Sequence, residues 1–93
     1  MNLILKFRMK EEKYGSFDVQ DIDELYVYLE NTGMCIWIKK EDLYDKIVKE
    51  GISFYVNATG FPLAQAVDRE GTKYVRSTPN KYNYDNIIAL PQA

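Results

Sequence analysis

A chain of 93 residues with 46% hydrophobic and 28% charged side chains has the composition of one globular domain, because a second core would bury too little apolar surface to offset its ordering entropy. The formal net charge of −2 argues against broad nucleic-acid binding, and the absence of histidine removes serine triads and histidine-bearing metal sites. A single cysteine, Cys35, excludes an intramolecular disulfide and zinc ribbons and points to a reducing cytoplasm.

The opening segment, Asn2 to Met9, alternates with Leu3, Leu5 and Phe7 on one side and Ile4, Lys6 and Arg8 on the other, the period of a half-buried strand. It is too short and too soon charged for a signal peptide, and no apolar run approaches the roughly 18 residues of a membrane span. Lys10 to Ser16 is a charged loop. Asp21 to Asn31 reads two ways: Ile22, Leu25, Tyr26 and Leu29 make a helical stripe, while Leu25, Val27 and Leu29 make a strand face. Tyr26, Val27 and Tyr28 are strand formers, and Asn31-Thr32-Gly33 has the form of a type I turn ending in a left-handed glycine, so a hairpin over 24–39 is favoured.

Lys40 to Glu50 changes period and places Leu43, Tyr44, Ile47 and Val48 on one face. Acids at its start, lysines nearer its end and Gly51 beyond it mark a helix. Ile52 to Val56 is a strand, Asn57 to Pro62 a loop, and the segments flanking Glu70-Gly71 form a second hairpin. The expected fold is α+β: a small antiparallel β-sheet of five to six strands with one α-helix packed on one face. The other face must then be solvated, curled on itself or buried by a partner.

Catalytic chemistry has little to stand on. Cys35 lies in an apolar strand without a histidine to activate it, and structural burial outweighs a nucleophilic role. Asp18, Asp21, Asp23 and Glu24 lack the spacing and fixed glycine of a calcium loop and read as a solvated acidic turn. No Gly-rich phosphate loop is present, so neither an enzyme nor a cofactor or metal is expected. Tyr74 and Arg76 share one side of a strand, with Lys73 and Lys81 nearby and Phe54 and Tyr55 on an expected neighbour. Such a set suits nucleic acid by stacking and charge, although a core-edge role for Tyr74 outweighs it. Arg76 with the Asn80 and Asn86 amides also suits a nucleotide or another small anion. Trp37 reads first as core and second as an interface anchor.

The closing stretch, "GTKYVRSTPNKYNYDNIIALP", resembles the small bacterial and phage family catalogued as domain of unknown function 3892. The likeness falls on the strand motif Gly71, Tyr74, Val75, Arg76 and Ser77, and on the tail motif Asp85, Asn86, Ile87, Leu90 and Pro91. It implies an architecture and a cytoplasmic or phage setting, and it implies no activity. On the residues themselves, Arg76 is expected to reach the turn that follows it, where Asp85 and an Asn80 or Asn86 oxygen satisfy its fork, while Ile87, Ile88 and Leu90 cap an open end of the sheet.

Three functions follow as expectations. The first is a non-enzymatic binding module, a phage or mobile-element protein that blocks a host protein, or a homodimer, with Trp37, Tyr26 and Tyr28 as contact residues. The second is a nucleotide sponge or sensor built on Tyr74, Arg76, Asn80, Asp85 and Asn86. The third is a nucleic-acid-binding domain.

Overall fold

The computed structural model describes residues 1–78 and 84–93. Its elements run β1 (Asn2–Met9), β2 (Ile22–Leu29), β3 (Met34–Lys39), α1 (Lys40–Val48), β4 (Phe54–Val56), β5 (Ala64–Arg69) and β6 (Thr72–Ser77), with short 3-10 turns at Glu11–Lys13 and Val19–Asp21. The α+β class is as the residue pattern indicated, and 22–29 is strand. The six strands divide into a four-stranded sheet, β3-β2-β1-β4, and a separate ribbon, β5-β6.

The β2–β3 hairpin turns at Gly33, whose φ of 69° lies where a side chain is disfavoured. Its ladder runs without interruption from Glu24 opposite Lys39 to Leu29 opposite Met34. β1 pairs antiparallel with β2 but with a register irregularity between Ile4 and Lys6. That bulge corrects the simple alternation expected of β1. Ile4 and Phe7, three residues apart, both face the core at 0% and 2% exposure, while Lys6 and Arg8 point outward. β4 returns beside β1 in parallel, so the sheet is mixed and not purely antiparallel.

α1 starts directly after β3, carries Glu41 and Asp42 in its first turn and Lys46 in its last, and ends before Gly51 at φ 67°. It packs against β2, β3 and the ribbon on one side of the four-stranded sheet. Between these layers lies the core: Ile4, Phe7, Ile22, Leu25 and Val27 from the sheet, Leu43 from the helix, and Ala64, Val75 and Ile87 from the ribbon and tail. Burying apolar side chains of this size contributes roughly 1.5–3 kcal/mol each relative to exposure.

The C-terminal segment completes this packing. Ile87 is fully buried, with Ile88 and Leu90 packed against the core. The Phe7 amide donates to the Pro91 carbonyl at 3.2 Å and the Ala93 amide donates to the Phe7 carbonyl at 2.9 Å. The tail thus occupies the edge of β1 at Phe7, beyond the stretch that β4 covers.

Candidate docking face on the four-stranded sheet

Strand alternation sends one set of side chains into the core and the other to the far side of the sheet, which neither α1 nor the ribbon covers. Cross-strand register arranges that outer set in rows. Leu63, Tyr55, Leu3, Tyr28 and Cys35 are successive neighbours across β4, β1, β2 and β3, because opposed residues share a face. The next row is Lys6, Tyr26 and Trp37, and the third is Arg8, Glu24 and Lys39. Every one of these side chains is half-buried or exposed.

The second and third rows hold each other in place. The rings of Tyr26 and Trp37 lie 5.1 Å apart at 46°, the Arg8 guanidinium sits 4.1 Å from the Trp37 ring centre, and the Lys6 ammonium is 5.1 Å from that of Tyr26. Arg8 Nη1 also donates to Glu24 Oε1 at 2.9 Å, while Lys39 and Asp23 form a looser pair at 3.3 Å. An Arg that both stacks and forms an ion pair has few rotamers left to lose when something binds over it.

The three interface residues expected from sequence, Trp37, Tyr26 and Tyr28, are therefore brought together on one face. Trp37 is not in the core, which corrects the first reading of it. Cys35 is exposed, against the expectation of burial, because its parity along β3 puts it on the outer face beside Tyr28. Residues that sequence reasoning passed over are Arg8, Lys6, Leu3 and Leu63. Only strand pairing makes them neighbours, and nothing local in the sequence signals it.

The proposed ligand set at the end of β6 has a different fate. The Asp85 carboxylate does not meet Arg76. Instead it accepts the Ser77 amide at 2.9 and 3.2 Å and the Ile87 amide at 2.9 Å. Backbone amides left unpaired by the end of β6 are nearer to it than any guanidinium, and burial of Ser77 at 3% exposure makes their satisfaction obligatory. Asn86 turns the same way: its backbone and side-chain nitrogens donate to Ser77 Oγ at 3.1 and 3.0 Å, and the side chain also donates to the Thr78 carbonyl at 3.3 Å. Tyr74 is 3% exposed and offers no ring face to a base, whereas Arg76 is half-buried. Asn80 lies outside the described residues, as does Lys81. Phe54 and Tyr55 are not neighbours of this strand: β4 belongs to the other sheet, beside β1.

The acids of the "DVQDIDE" segment are each engaged by the protein. Asp18 accepts the Gln20 amide, Asp21 accepts from Ser16 Oγ, Asp23 meets Lys39 and Glu24 meets Arg8. Among the described residues, no group of acids and cysteine is placed to hold a metal ion.

Lys40, 3% exposed, donates from Nζ to the Gln20 carbonyl and ties the 3-10 turn to the start of α1. Burial, then the neighbouring Lys10 ammonium, holds its pKa below the ordinary 10.5, against the opposing pull of Glu41 and Asp21. No helix among the described residues is long and apolar enough to cross a membrane. Compared with family models, with curated proteins and with solved structures, the chain matches none.

Proposed function

We propose that this chain is a small non-enzymatic binding module that docks a protein through the outer face of its four-stranded sheet. The observation that carries this reading is the preassembled Tyr26–Trp37–Arg8 contact, made of the three residue types most enriched among interface hot spots and immobilised before any partner arrives. The apolar row from Leu63 to Cys35 supplies the area beside it. A single-stranded nucleic acid suits the face less well, since Arg8 and Lys6 already lie over the rings on which bases would stack. In the bacterial or phage setting that the C-terminal resemblance implies, the occupant is a host protein that docking blocks.

A nucleotide at Arg76 is the weaker reading, because Asp85 and Asn86 are engaged with the backbone and side chain of Ser77. The deciding experiment is affinity capture from a bacterial lysate with the wild type, Trp37→Ala and Arg76→Ala. A partner retained by wild type and Arg76→Ala but lost by Trp37→Ala supports the docking face, with an affinity loss of about 30-fold or more expected for a hot-spot truncation. A partner held equally by Trp37→Ala refutes it. A melting temperature raised by a nucleotide in wild type but not in Arg76→Ala returns the function to β6.

A further inference from the structure

The four-stranded sheet closes one of its edges thoroughly and leaves the other bare. On the β1–β4 side, the tail bonds to Phe7, Leu63 bridges Tyr55, and the Val56 amide donates to the Pro62 carbonyl at 2.8 Å. On the opposite side, β3 pairs with β2 alone among the described residues. β3 also lacks the devices that blunt an edge strand. It has no proline, its ladder to β2 has no bulge, and from Met34 to Ile38 it carries no charge, with Met34 60% exposed and Cys35 exposed.

We infer that β3 pairs with β3 of a second copy of this chain, antiparallel about a two-fold axis, to form a continuous eight-stranded sheet. The charge pattern of the strand is compatible with a second copy as occupant and sets its orientation. Its one cation, Lys39, stands at the end, so an antiparallel pair separates the two Lys39 side chains, whereas a parallel pair would stack them. Opposed residues must share a face, so a symmetric register centres on a residue and not between two. Centring on Trp37 sets Trp37 against Trp37, Ile36 against Ile38, and Lys39 against the uncharged Cys35, with the two Lys39 residues about 14 Å apart along the strands, beyond the Debye length of about 8 Å. Moving the centre to Lys39 opposes like charges. A six-residue edge is about 20 Å long and lies at the small end of specific interfaces, so the dimer is weak, with a Kd between about 1 µM and 1 mM. This inference does not rest on a protein docking on the outer face, although Trp37 and Cys35 belong to both surfaces.

The test uses position 35, which is exposed. Sedimentation velocity in reductant, from about 1 µM to about 1 mM, reads the self-association of wild type, Cys35→Glu and Cys35→Lys, with circular dichroism confirming that each is folded. Cys35→Glu places an acid opposite Lys39 twice per dimer and tightens association by about threefold to thirtyfold, while Cys35→Lys opposes two cations twice and weakens it by a similar factor. Wild type and Cys35→Glu that both stay monomeric to about 1 mM overturn the inference. So does a dimer whose affinity moves in the same direction, or not at all, in the two variants.

Discussion

Replacing Asp85 with alanine tests what the C-terminal turn is for. In the folded protein its carboxylate receives two backbone amides, those of Ser77 and Ile87, at distances of 2.9 to 3.2 Å, and Ser77 is buried. Asp85→Ala removes both acceptors at once. An amide stranded in a buried position costs about 1–3 kcal/mol, and bonds to a charged acceptor lie toward the upper end, so two such losses, eased by partial access of water, amount to about 3 kcal/mol. For a domain of this size that lowers Tm by about 12–24 °C. Urea unfolding followed by the emission of the sole tryptophan, Trp37, measures the change as a shift in midpoint at constant slope. Arg76→Ala is the necessary companion. Arg76 is half-buried and makes no ion pair with Asp85, so its truncation shifts stability by less than about 1 kcal/mol. An Asp85→Ala variant as stable as wild type, or an Arg76→Ala variant as damaged as Asp85→Ala, refutes the account of a backbone-capping carboxylate.

Two further stability effects follow from local geometry. Glu70 holds φ at 52° beside Gly71 at φ 88° in the two-residue β5–β6 turn, a conformation in which asparagine is far better tolerated than glutamate. Glu70→Asn is expected to raise stability by about 0.5–1 kcal/mol in thermal unfolding, and a lower Tm contradicts the turn assignment. For Lys40, the folded pKa lies below the unfolded value of 10.5, so between the two the unfolded chain binds more protons and stability rises with pH. The stability of wild type relative to Lys40→Met therefore improves as pH approaches 10.5, read from urea midpoints at pH 7, 9 and 10. A difference that stays flat across that range shows that the surroundings of Lys40 do not lower its pKa.

Element identities were legible because they rest on local pattern, whereas the outer face and the C-terminal clip rest on pairing. Tyr26-Val27-Tyr28 marked a strand, and Gly33 and Gly51 marked the turns that end β2 and α1. The face assignment of β1 failed because a bulge between Ile4 and Lys6 changes the parity of every residue beyond it, and no residue in "NLILKFRM" announces one. Cys35 was misjudged for a related reason. "MCIWI" is apolar at both parities, so composition does not tell which residues face α1 and which face solvent. Asp85 and Arg76 looked like partners because opposite charges near each other in sequence invite pairing. In the structure, the end of β6 presents a bare amide, and a buried N–H has a stronger claim on a carboxylate than a guanidinium that water can reach.

That competition also weighs on the choice between the two proposed sites. At the end of β6 and in the turn beyond it, Ser77, Asp85 and Asn86 are directed at closing the chain onto itself. A site there would have to break capping bonds to admit a ligand, at a cost of the same order as the binding free energy of a small anion with millimolar affinity. The outer sheet face carries no such cost. Its aromatic rings and Arg8 interact with each other, not with the backbone, and the fold does not need them to satisfy a buried amide or carbonyl. Selection for stability alone would favour polar residues there, as on the solvated face of an ordinary antiparallel sheet. Tyr26, Tyr28, Trp37 and Tyr55 on that face, next to the bare edge of β3, are the residues that the proposed docking of another molecule would explain.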